Sequence, residues 1–216
     1  TYRLLPPAKD YKRIGEGDTG LNTGGMGAVS PVPFADDTLM RKVERRIVQP
    51  TLRGLQKDGI RYKGFLYFGL MKVKGEPFVI EYNCRLGDPE TEAVVPRIRN
   101  DLVELFEAVA NETLESITIE TDARACATVV VAAQGYPGNY QKGKPITGLN
   151  KVSSSFVFHA GTRDEGGQLV TSGGRVLAVT SLGRTMKEAL QASYDSIGKI
   201  CFEGMYCRRD IGFDLL

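Results

Sequence analysis

Three polar side chains stand at alternate positions near the end of one apolar segment, and their types could hold a divalent cation beside a phosphate. They are Glu81, Asn83 and Arg85. Because side chains point alternately to the two faces of a β-strand, all three are expected on one face. Carboxylate and amide oxygens suit Mg²⁺, and a guanidinium can hold a phosphoryl oxygen. The pattern predicts a metal-assisted phosphoryl-transfer site.

The same spacing also fits a solvated strand face with one Glu–Arg pair, an alternative that spacing alone leaves open. The next segment favours the site. Residues 86–92 read Leu-Gly-Asp-Pro-Glu-Thr-Glu, which predicts a tight turn and then a helix with Asp88 as N-cap and Pro89 at its first position. Such a helix start offers free N–H groups to an anion.

The strands that must position these residues can be predicted from periodicity. Residues 65–73 form a continuous apolar run, which predicts a strand buried on both faces. Residues 77–85 return beside it, so the two segments are expected to form a hairpin that carries the three polar side chains. Residues 1–30 are rich in glycine and predict either a functional loop or a disordered one.

Two helices are expected around this hairpin. The first is capped by Asp36 or Asp37 and is kinked or broken at Pro50, because proline removes a backbone donor and clashes with the preceding turn. The second begins at Asp101, which resembles a capping box together with Glu104.

A polar stretch at residues 112–124 separates this region from a second, smaller one. We therefore expect an α+β fold with two domains, residues 1–120 and residues 121–216. The second domain is predicted to contain a buried strand, a glycine- and proline-rich loop, three further strands and a helix. These elements are expected at residues 125–133, 135–148, 155–159, 169–171, 175–182 and from residue 185 onward.

Composition limits the possible function classes. The 216 residues carry 28 basic and 26 acidic side chains, for a net charge of +2, which argues against a nucleic-acid or membrane-surface binder. No apolar run reaches the roughly 18 residues that span a bilayer. The start at Thr1 has no apolar signal segment, and we interpret it as a cut or processed end. The four cysteines lack Cys-x-x-Cys spacing, so reduced thiols are expected in a cytoplasmic protein, with Cys84 and Cys126 buried.

Several motifs together resemble one enzyme family. Glu-x-Asn-x-Arg at the end of a hairpin resembles the metal-binding strand of ATP-grasp enzymes. Residues 85–92, and residues 22–28 with the sequence Asn-Thr-Gly-Gly-Met-Gly-Ala, are similar to signatures of the phosphoribosylamine–glycine ligase (glycinamide ribonucleotide synthetase) family. Further segments are similar to that family, and all stand in its order. They are residues 8–13, 135–138, 158–162 and 173–176.

The resemblance implies an ATP-grasp C-terminal subdomain followed by a small α+β C-terminal domain. Glu81 and Asn83 would bind Mg²⁺ (or Mn²⁺), and Arg85 would meet the transferred phosphate of ATP, the co-substrate. The implied reaction joins glycine to 5-phosphoribosylamine through a glycyl phosphate, giving glycinamide ribonucleotide, ADP and phosphate in purine synthesis. The implied partners are these small molecules, with no nucleic acid and no membrane.

The resemblance also implies that the loop at residues 22–28 lines the substrate site, since glycines let the backbone approach a ligand closely. Arg175 follows two glycines that leave room for a ligand. Asp10 either holds a substrate amine or orders the loop through Lys12 or Arg13, and both alternatives are open. The expected substrate contacts are Asp10, Gly24, Gly25, Gly27, Asp88 and Arg175.

Other polar residues are expected to be structural. His159 is the only histidine and lies in an apolar strand, which favours a satisfied structural side chain over a metal or triad role. Four cations outside the motifs are expected to form a solvated face. They are Lys142, Lys144, Arg208 and Arg209.

The resemblance implies an N-terminal substrate domain and a central lid that grips ATP, and we expect both to be missing from this chain. We therefore expect this chain to lack ligase activity when it is alone. Two rival interpretations are kept. The first is an ATP-grasp carboxylase that depends on biotin or a purine, which bicarbonate-dependent ATP turnover would favour. The second is a non-catalytic binding module on the same fold, which a failure to consume ATP would favour.

Overall fold

Buried apolar side chains form two separate cores, and the chain divides accordingly into two units in the computed structural model, which describes residues 1–215. The first unit comprises Thr1–Leu5, Val32–Gly87 and Arg99–Glu120. The second comprises Pro6–Pro31, Asp88–Ile98 and the chain from Thr121 on. Neither unit is one continuous segment, because early strands pair with strands that follow Thr121. A domain boundary at residue 120 stays a prediction.

Both units combine helices and strands. The helices are α1 Asp37–Val43, α2 Gln49–Lys57, α3 Glu90–Val94, α4 Leu102–Ala110 and α5 Met186–Ile197. The strands are β1 Lys9–Asp10, β2 Arg13–Gly15, β3 Thr19–Asn22, β4 Gly27–Ser30, β5 Tyr67–Val73, β6 Glu76–Asn83, β7 Ala125–Ala133, β8 Phe156–His159, β9 Thr162–Glu165, β10 Gln168–Thr171, β11 Arg175–Gly183 and β12 Met205–Tyr206.

The helical part of the first unit runs through Pro50 without a break. Asp36 caps α1, because its carboxylate accepts a hydrogen bond from the Leu39 N–H at 2.8 Å, and the predicted cap is confirmed. The predicted break at Pro50 is wrong. A π-helical segment, Glu44–Val48, joins α1 to α2, and Pro50 falls in the first turn of α2. A missing N–H is tolerated in a first turn, and the wider π turn accommodates the ring.

Strands β5 and β6 pair antiparallel, which confirms the predicted hairpin. The prediction that the first strand is buried on both faces is wrong. Leu70, Met71 and Val73 are exposed on β5, as are Phe78 and Ile80 on β6. An apolar run predicts burial, but burial also requires other segments to pack on both faces of the strand, which the run itself cannot specify.

Helix α4 completes the first unit. The Asp101 carboxylate accepts a hydrogen bond from the Val103 N–H at 2.7 Å, so the predicted N-cap is confirmed. Phe106 meets Phe65 edge to face, with ring centroids 6.0 Å apart, a favoured aromatic geometry. The helix thereby packs an aromatic side chain against the segment that leads into the hairpin.

The second unit is built on a six-stranded antiparallel sheet in the order β1-β4-β7-β11-β8, with β12 also paired to β7. Strand β7 is central, and all of its residues are buried, as predicted. Helix α5 packs against β7 and β11. The Thr185 hydroxyl accepts a hydrogen bond from the Glu188 N–H at 3.2 Å, so the predicted helix start is confirmed.

Two hairpins stand outside this sheet as separate two-stranded sheets, β2–β3 and β9–β10. The strands predicted at residues 155–159, 169–171 and 175–182 correspond to β8, β10 and β11 and are confirmed. Six short strands were not predicted, since too few residues carry their periodicity, and four of them lie in the segment 1–30 that was expected to be a loop. They are β1, β2, β3, β4, β9 and β12. Within residues 1–215, no helix has the length and apolar character needed to cross a membrane.

Candidate functional site

Strand β6 presents the first two of the three predicted side chains. Glu81 lies opposite Gly69 and Asn83 lies opposite Tyr67 in the ladder with β5. The strand ends at Asn83, and Arg85 follows in a bend, so strict alternation applies to Glu81 and Asn83 only. The Arg85 side chain is exposed, and its Nη1 donates to the carbonyl of Leu86 at 2.9 Å. Within residues 1–215 its other guanidinium nitrogens have no hydrogen-bond partner, so they can meet an anion.

The space for the Glu81 side chain comes from a glycine that sequence reasoning missed. A Cβ at position 69 would lie 2.7 Å from Cγ of Glu81, which is closer than two carbon atoms can approach. Glu81 has no ion-pair partner within the described chain, whereas Glu76 on the same strand is paired with Lys42 and Arg46. Glu81 is therefore the unpaired carboxylate of this strand.

The donor set fits Mg²⁺ or Mn²⁺ as a partial site. One carboxylate and one amide oxygen are hard ligands, and Mg²⁺ usually takes the rest of its octahedral shell from water and phosphate. Among residues 1–215, no group of three or more His, Cys, Asp or Glu side chains could hold a metal ion. A cation at Glu81 and Asn83 would therefore take its remaining oxygens from water or from a ligand such as ATP.

The glycine loop of the second unit is held by its own hydrogen bonds. The Gly24 N–H donates to Oη of Tyr136 at 3.0 Å, and the Gly25 N–H donates to Oγ1 of Thr23 at 2.9 Å. Thr23 in turn donates to the carbonyl of Lys12 from its N–H at 2.8 Å and from its hydroxyl at 2.7 Å. These two glycine N–H groups are therefore not open to an anion.

Arg175 joins this loop to Asp88. Its Nη1 lies 2.9 Å from Oδ1 of Asp88 and donates to the carbonyl oxygens of Gly24 at 3.0 Å and Asp88 at 3.1 Å. Its Nε and Nη2 have no hydrogen-bond partner among residues 1–215. We name Gly24, Gly25, Asp88 and Arg175 the loop cluster. Its partly unused guanidinium suits an anionic group such as a phosphate, and the exposed backbone of Gly24 lies beside it.

Two details of the predicted cluster are corrected. Asp88 does not cap a helix: α3 begins at Glu90, its N-cap is Pro89, and no side chain caps it. The glycines before Arg175 do not open room for a ligand, because a Cβ on Gly174 would lie 2.2 Å from the Tyr136 ring. They allow close packing instead.

The remaining predicted substrate contacts have clear structural partners. Gly25 has φ +119°, and a Cβ there would lie 2.4 Å from Cδ of Pro89, so only glycine fits. Gly27 is buried in β4, where a Cβ would lie 2.7 Å from the Thr128 carbonyl, and we withdraw it as a substrate contact. Asp10 forms an ion pair with Lys12, which favours its loop-ordering alternative.

Glu92 was missed as a candidate. Its Oε2 is buried and has no hydrogen-bond partner in the described part of the chain. Burial raises the pKa of Glu92, and the carboxylates of Asp88 and Glu90 raise this pKa further, against the opposing effects of its own N–H and of Arg175. A buried acid close to the loop cluster could have been found only from the fold, since Glu92 looks like an ordinary residue of a helix start.

Three further predictions were wrong or are refined. Arg208 was expected on a solvated face and is fully buried. Cys84 was expected to be buried and is exposed, whereas Cys126 is buried as predicted, and burial raises the pKa of its thiol to about 12. His159 is exposed at the end of β8, and its Nδ1 lies 3.1 Å from Oγ1 of Thr162, a local structural contact.

The fold is shared with solved carboxylase structures. A solved biotin carboxylase complex from Campylobacter jejuni is similar over 94% of this chain and 44% of its own, with a TM-score of 0.58 and 14% identity. At that identity the likeness is one of fold alone. The model of the phosphoribosylglycinamide synthetase ATP-grasp (A) domain matches residues 1–91, which include β5, β6 and the Glu81, Asn83 and Arg85 strand end. Fold and site together define an ATP-grasp protein, with the predicted α+β class.

The model of the phosphoribosylglycinamide synthetase C domain matches residues 126–214. With both domain models matched in order, the chain belongs to the phosphoribosylglycinamide synthetase family.

Close relatives agree with this assignment. The phosphoribosylamine–glycine ligase of Chlorobaculum tepidum is 52% identical over 214 residues, which are 98% of this chain and 50% of that protein. The ligase of Vibrio cholerae is 50% identical, over 97% of this chain and 50% of its own. The crystal structure of the Thermotoga maritima ligase has a TM-score of 0.87 and 41% identity, over 95% of this chain and 51% of that one. The chain spans about half the length of these relatives.

Proposed function

We propose that the protein containing this chain is an ATP-dependent carbon–nitrogen ligase. It would join glycine to 5-phosphoribosylamine and release glycinamide ribonucleotide, ADP and phosphate. The observation that carries the proposal is the match of both phosphoribosylglycinamide synthetase domain models in a chain that also keeps Glu81, Asn83 and Arg85 at one strand end. The ligase relatives from two bacteria, each at least 50% identical, support the choice of substrates.

The proposed chemistry has two steps. A carboxylate oxygen of glycine attacks the terminal phosphorus of ATP, the bond to the bridging oxygen breaks, and ADP leaves. The amine nitrogen of 5-phosphoribosylamine then attacks the carbonyl carbon of glycyl phosphate, phosphate leaves, and the nitrogen loses a proton. No nucleophilic side chain is required, so the protein contributes positioning and charge neutralisation.

The first unit would serve the phosphoryl transfer. Glu81 and Asn83 would hold Mg²⁺ or Mn²⁺, which neutralises phosphate charge when it is bound. Arg85 is permanently charged and exposed at the strand end, and it would hold an oxygen of the transferred phosphoryl group. These three residues provide a carboxylate, an amide oxygen and a guanidinium, which is the chemistry that a metal–ATP complex needs.

The loop cluster of the second unit would serve the amine substrate. Arg175 retains Nε and Nη2 for the phosphate of 5-phosphoribosylamine, because only Nη1 is used by Asp88 and Gly24. Asp88, whose carboxylate is half exposed, would orient Arg175, and the exposed Gly24 backbone would border the sugar. Asp10 would order the loop through Lys12. We also propose a cytoplasmic location, which the four unpaired cysteines support.

The test uses the purified full-length protein. We expect ADP formation that requires glycine and 5-phosphoribosylamine together, and a product with the mass of glycinamide ribonucleotide. ADP formation that depends on bicarbonate instead would support an ATP-grasp carboxylase. No ATP consumption with any of these substrates would support a non-catalytic module. A protein carrying Arg85→Lys should bind ATP with a similar affinity and turn it over more slowly, because lysine cannot form the planar fork.

A further inference from the structure

The largest fully buried side chain of the second unit carries a charge. Arg208 has no exposed surface, and its guanidinium forms hydrogen bonds through all three nitrogens. Nε and Nη2 donate to the two carboxylate oxygens of Asp210, each at 2.8 Å, and Nη1 donates to Oδ1 of Asp18 at 2.7 Å and to the Arg13 carbonyl at 3.1 Å. A buried charge with this full set of partners is costly to disturb, since loss of one partner leaves the rest uncompensated.

Arg208 belongs to a segment that holds the β2–β3 hairpin. We name residues 206–210 the C-terminal clasp. The Tyr206 hydroxyl donates to the Ile14 carbonyl at 2.7 Å, and Oδ2 of Asp210 accepts from the Gly17 N–H at 2.7 Å. The Arg209 N–H donates to Oε1 of Glu16 at 3.2 Å. The clasp, which includes Arg208, therefore forms hydrogen bonds to the backbone or side chain of every residue from 13 to 18 except Gly15.

Outside the clasp, the hairpin is anchored by Ile14 of β2, which packs against the core of the second unit. It forms its own two-stranded sheet, apart from the six-stranded one, and all residues of β3 are exposed. A short exposed hairpin is marginally stable by itself. Its orientation in the second unit therefore depends on the packing of Ile14 and on the clasp, in which the buried guanidinium makes the contacts to Arg13 and Asp18.

The hairpin leads directly into the loop cluster. Lys12, which precedes β2, offers its carbonyl to both the N–H and the hydroxyl of Thr23, which follows β3. The Thr23 hydroxyl then accepts the Gly25 N–H, and the Gly24 carbonyl accepts from Arg175. Lys12 and Thr23 flank the two ends of the hairpin. A shift of the hairpin would therefore move this hydrogen-bonded pair, and with it the backbone of Gly24 and Gly25.

We propose that Arg208 is a positioning residue for the amine-substrate site: it fixes the β2–β3 hairpin and thereby the Gly24–Gly25 backbone beside Arg175. The inference rests on the proposed role of the loop cluster. Arg208 itself is buried and contacts no substrate. Its effect passes through Asp18 and the Arg13 carbonyl to the loop.

The test changes the hairpin side of this contact, because Arg208 variants could fail to fold. Asp18→Asn is chosen because the Asp18 side chain is nearly half exposed and Asp210 continues to compensate Arg208. The matched control is Glu203→Gln, which removes an ion pair of the same length, 2.7 Å to Lys144, in the same unit. Both variants are made in the full-length protein, together with Arg208→Lys, which keeps the charge but not the fork.

We expect Asp18→Asn to raise KM for 5-phosphoribosylamine about tenfold, as for the loss of one charge-assisted hydrogen bond, with KM for ATP unchanged. Amide hydrogen exchange of residues 19–25 should become faster. Arg208→Lys, if folded, should show the same selective change, and Glu203→Gln should show neither.

Three results would overturn the inference. They are an unchanged KM for 5-phosphoribosylamine, an equal rise in KM for ATP, or an exchange rate in residues 19–25 that matches the wild type. Faster exchange without a change in KM would reduce Arg208 to a structural role and so also contradicts the proposal. A wild-type protein with no ligase activity would instead refute the proposed function, while the exchange measurement would still report whether the clasp holds the hairpin.

Discussion

Glu81 lies across the β5–β6 hairpin from Gly69, and the absence of a side chain on Gly69 gives the Glu81 carboxylate its place. The two residues are direct partners in the ladder, and a β-carbon on residue 69 would come within 2.7 Å of Glu81 Cγ. The position of the proposed metal ligand therefore depends on a residue that has no functional group of its own.

Gly69→Ala should displace the Glu81 side chain and lower kcat/KM of the full-length ligase by about 10- to 100-fold, since small misplacements of a reacting group have effects of this size. The measurement is ADP formation with all substrates. Gly54→Ala is the matched control in the same unit, because a Cβ at position 54 of α2 meets no atom within 4 Å. That variant should keep its activity and gain roughly 0.5–1 kcal/mol of helix stability. An active Gly69→Ala protein would contradict the argument.

Glu81→Gln should reduce kcat by about 10²- to 10³-fold, as for the loss of a principal electrostatic contact to the transferred group. The Mg²⁺ concentration that gives half-maximal rate should also rise, because an amide is a weaker ligand than a carboxylate. Glu76→Gln on the same strand is the control. Glu76 already forms ion pairs with Lys42 and Arg46, and these contacts lower its pKa. Replacing the Glu76 carboxylate should therefore leave the Mg²⁺ dependence unchanged. Equal behaviour of the two variants would argue for a solvated strand face.

Gly25→Ala should destabilise the protein by about 2 kcal/mol or more, because it combines a strained backbone angle with a clash in a packed region. The φ of Gly25 is +119°, and a Cβ would lie 2.4 Å from Cδ of Pro89. Gly17→Ala shares a positive φ, +62°, but its Cβ would meet no atom within 4 Å, so a cost of about 1 kcal/mol is expected. Thermal unfolding of the two variants compares these costs directly, and equal losses would contradict the predicted clash.

Glu92 predicts a pH dependence of stability. Burial raises the pKa of Glu92 in the folded protein above its value of about 4.3 in an unfolded chain. Its protonated form is therefore favoured by folding, and this contribution is complete below about pH 4.3 and is lost as the pH rises through the raised pKa. Relative to Glu92→Gln, the wild type should lose thermal stability as the pH rises above about 4.3. If the difference in melting temperature between the wild type and Glu92→Gln stayed constant as the pH rose, folding would not raise the pKa of Glu92 and the prediction would be wrong.

Local patterns predicted much of the fold. The caps at Asp36, Asp101 and Thr185 depend on side chains and N–H groups that are close in the chain, so the sequence is sufficient to find them. The strand at residues 125–133 could be predicted because a strand that is buried at all nine positions has a mostly apolar sequence. Pro50 was misjudged because its effect depends on the turn that precedes it, and that turn widened into a π helix.

The residues of the candidate sites also divide into those that the sequence identifies and those that only the structure identifies. Glu81, Asn83 and Arg85 could be found from the sequence, because ligand chemistry and strand alternation act within five consecutive residues. Gly69, Glu92 and Arg208 could not. Gly69 matters through the strand register that sets it opposite Glu81, and Glu92 through its burial. Arg208 matters through a hydrogen bond to Asp18 that spans 190 positions.

The sequence by itself determined the family, the α+β class, the antiparallel hairpin and the chemical types that could bind a metal–nucleotide complex. Only the tertiary structure decided which charges are buried, which glycines make room for a neighbour, and that the early hairpin packs with the C-terminal clasp in the second unit. The physical reason is that strand alternation and helix caps are set by neighbouring residues. The cost of burying a charge is set by whichever distant groups surround it after folding.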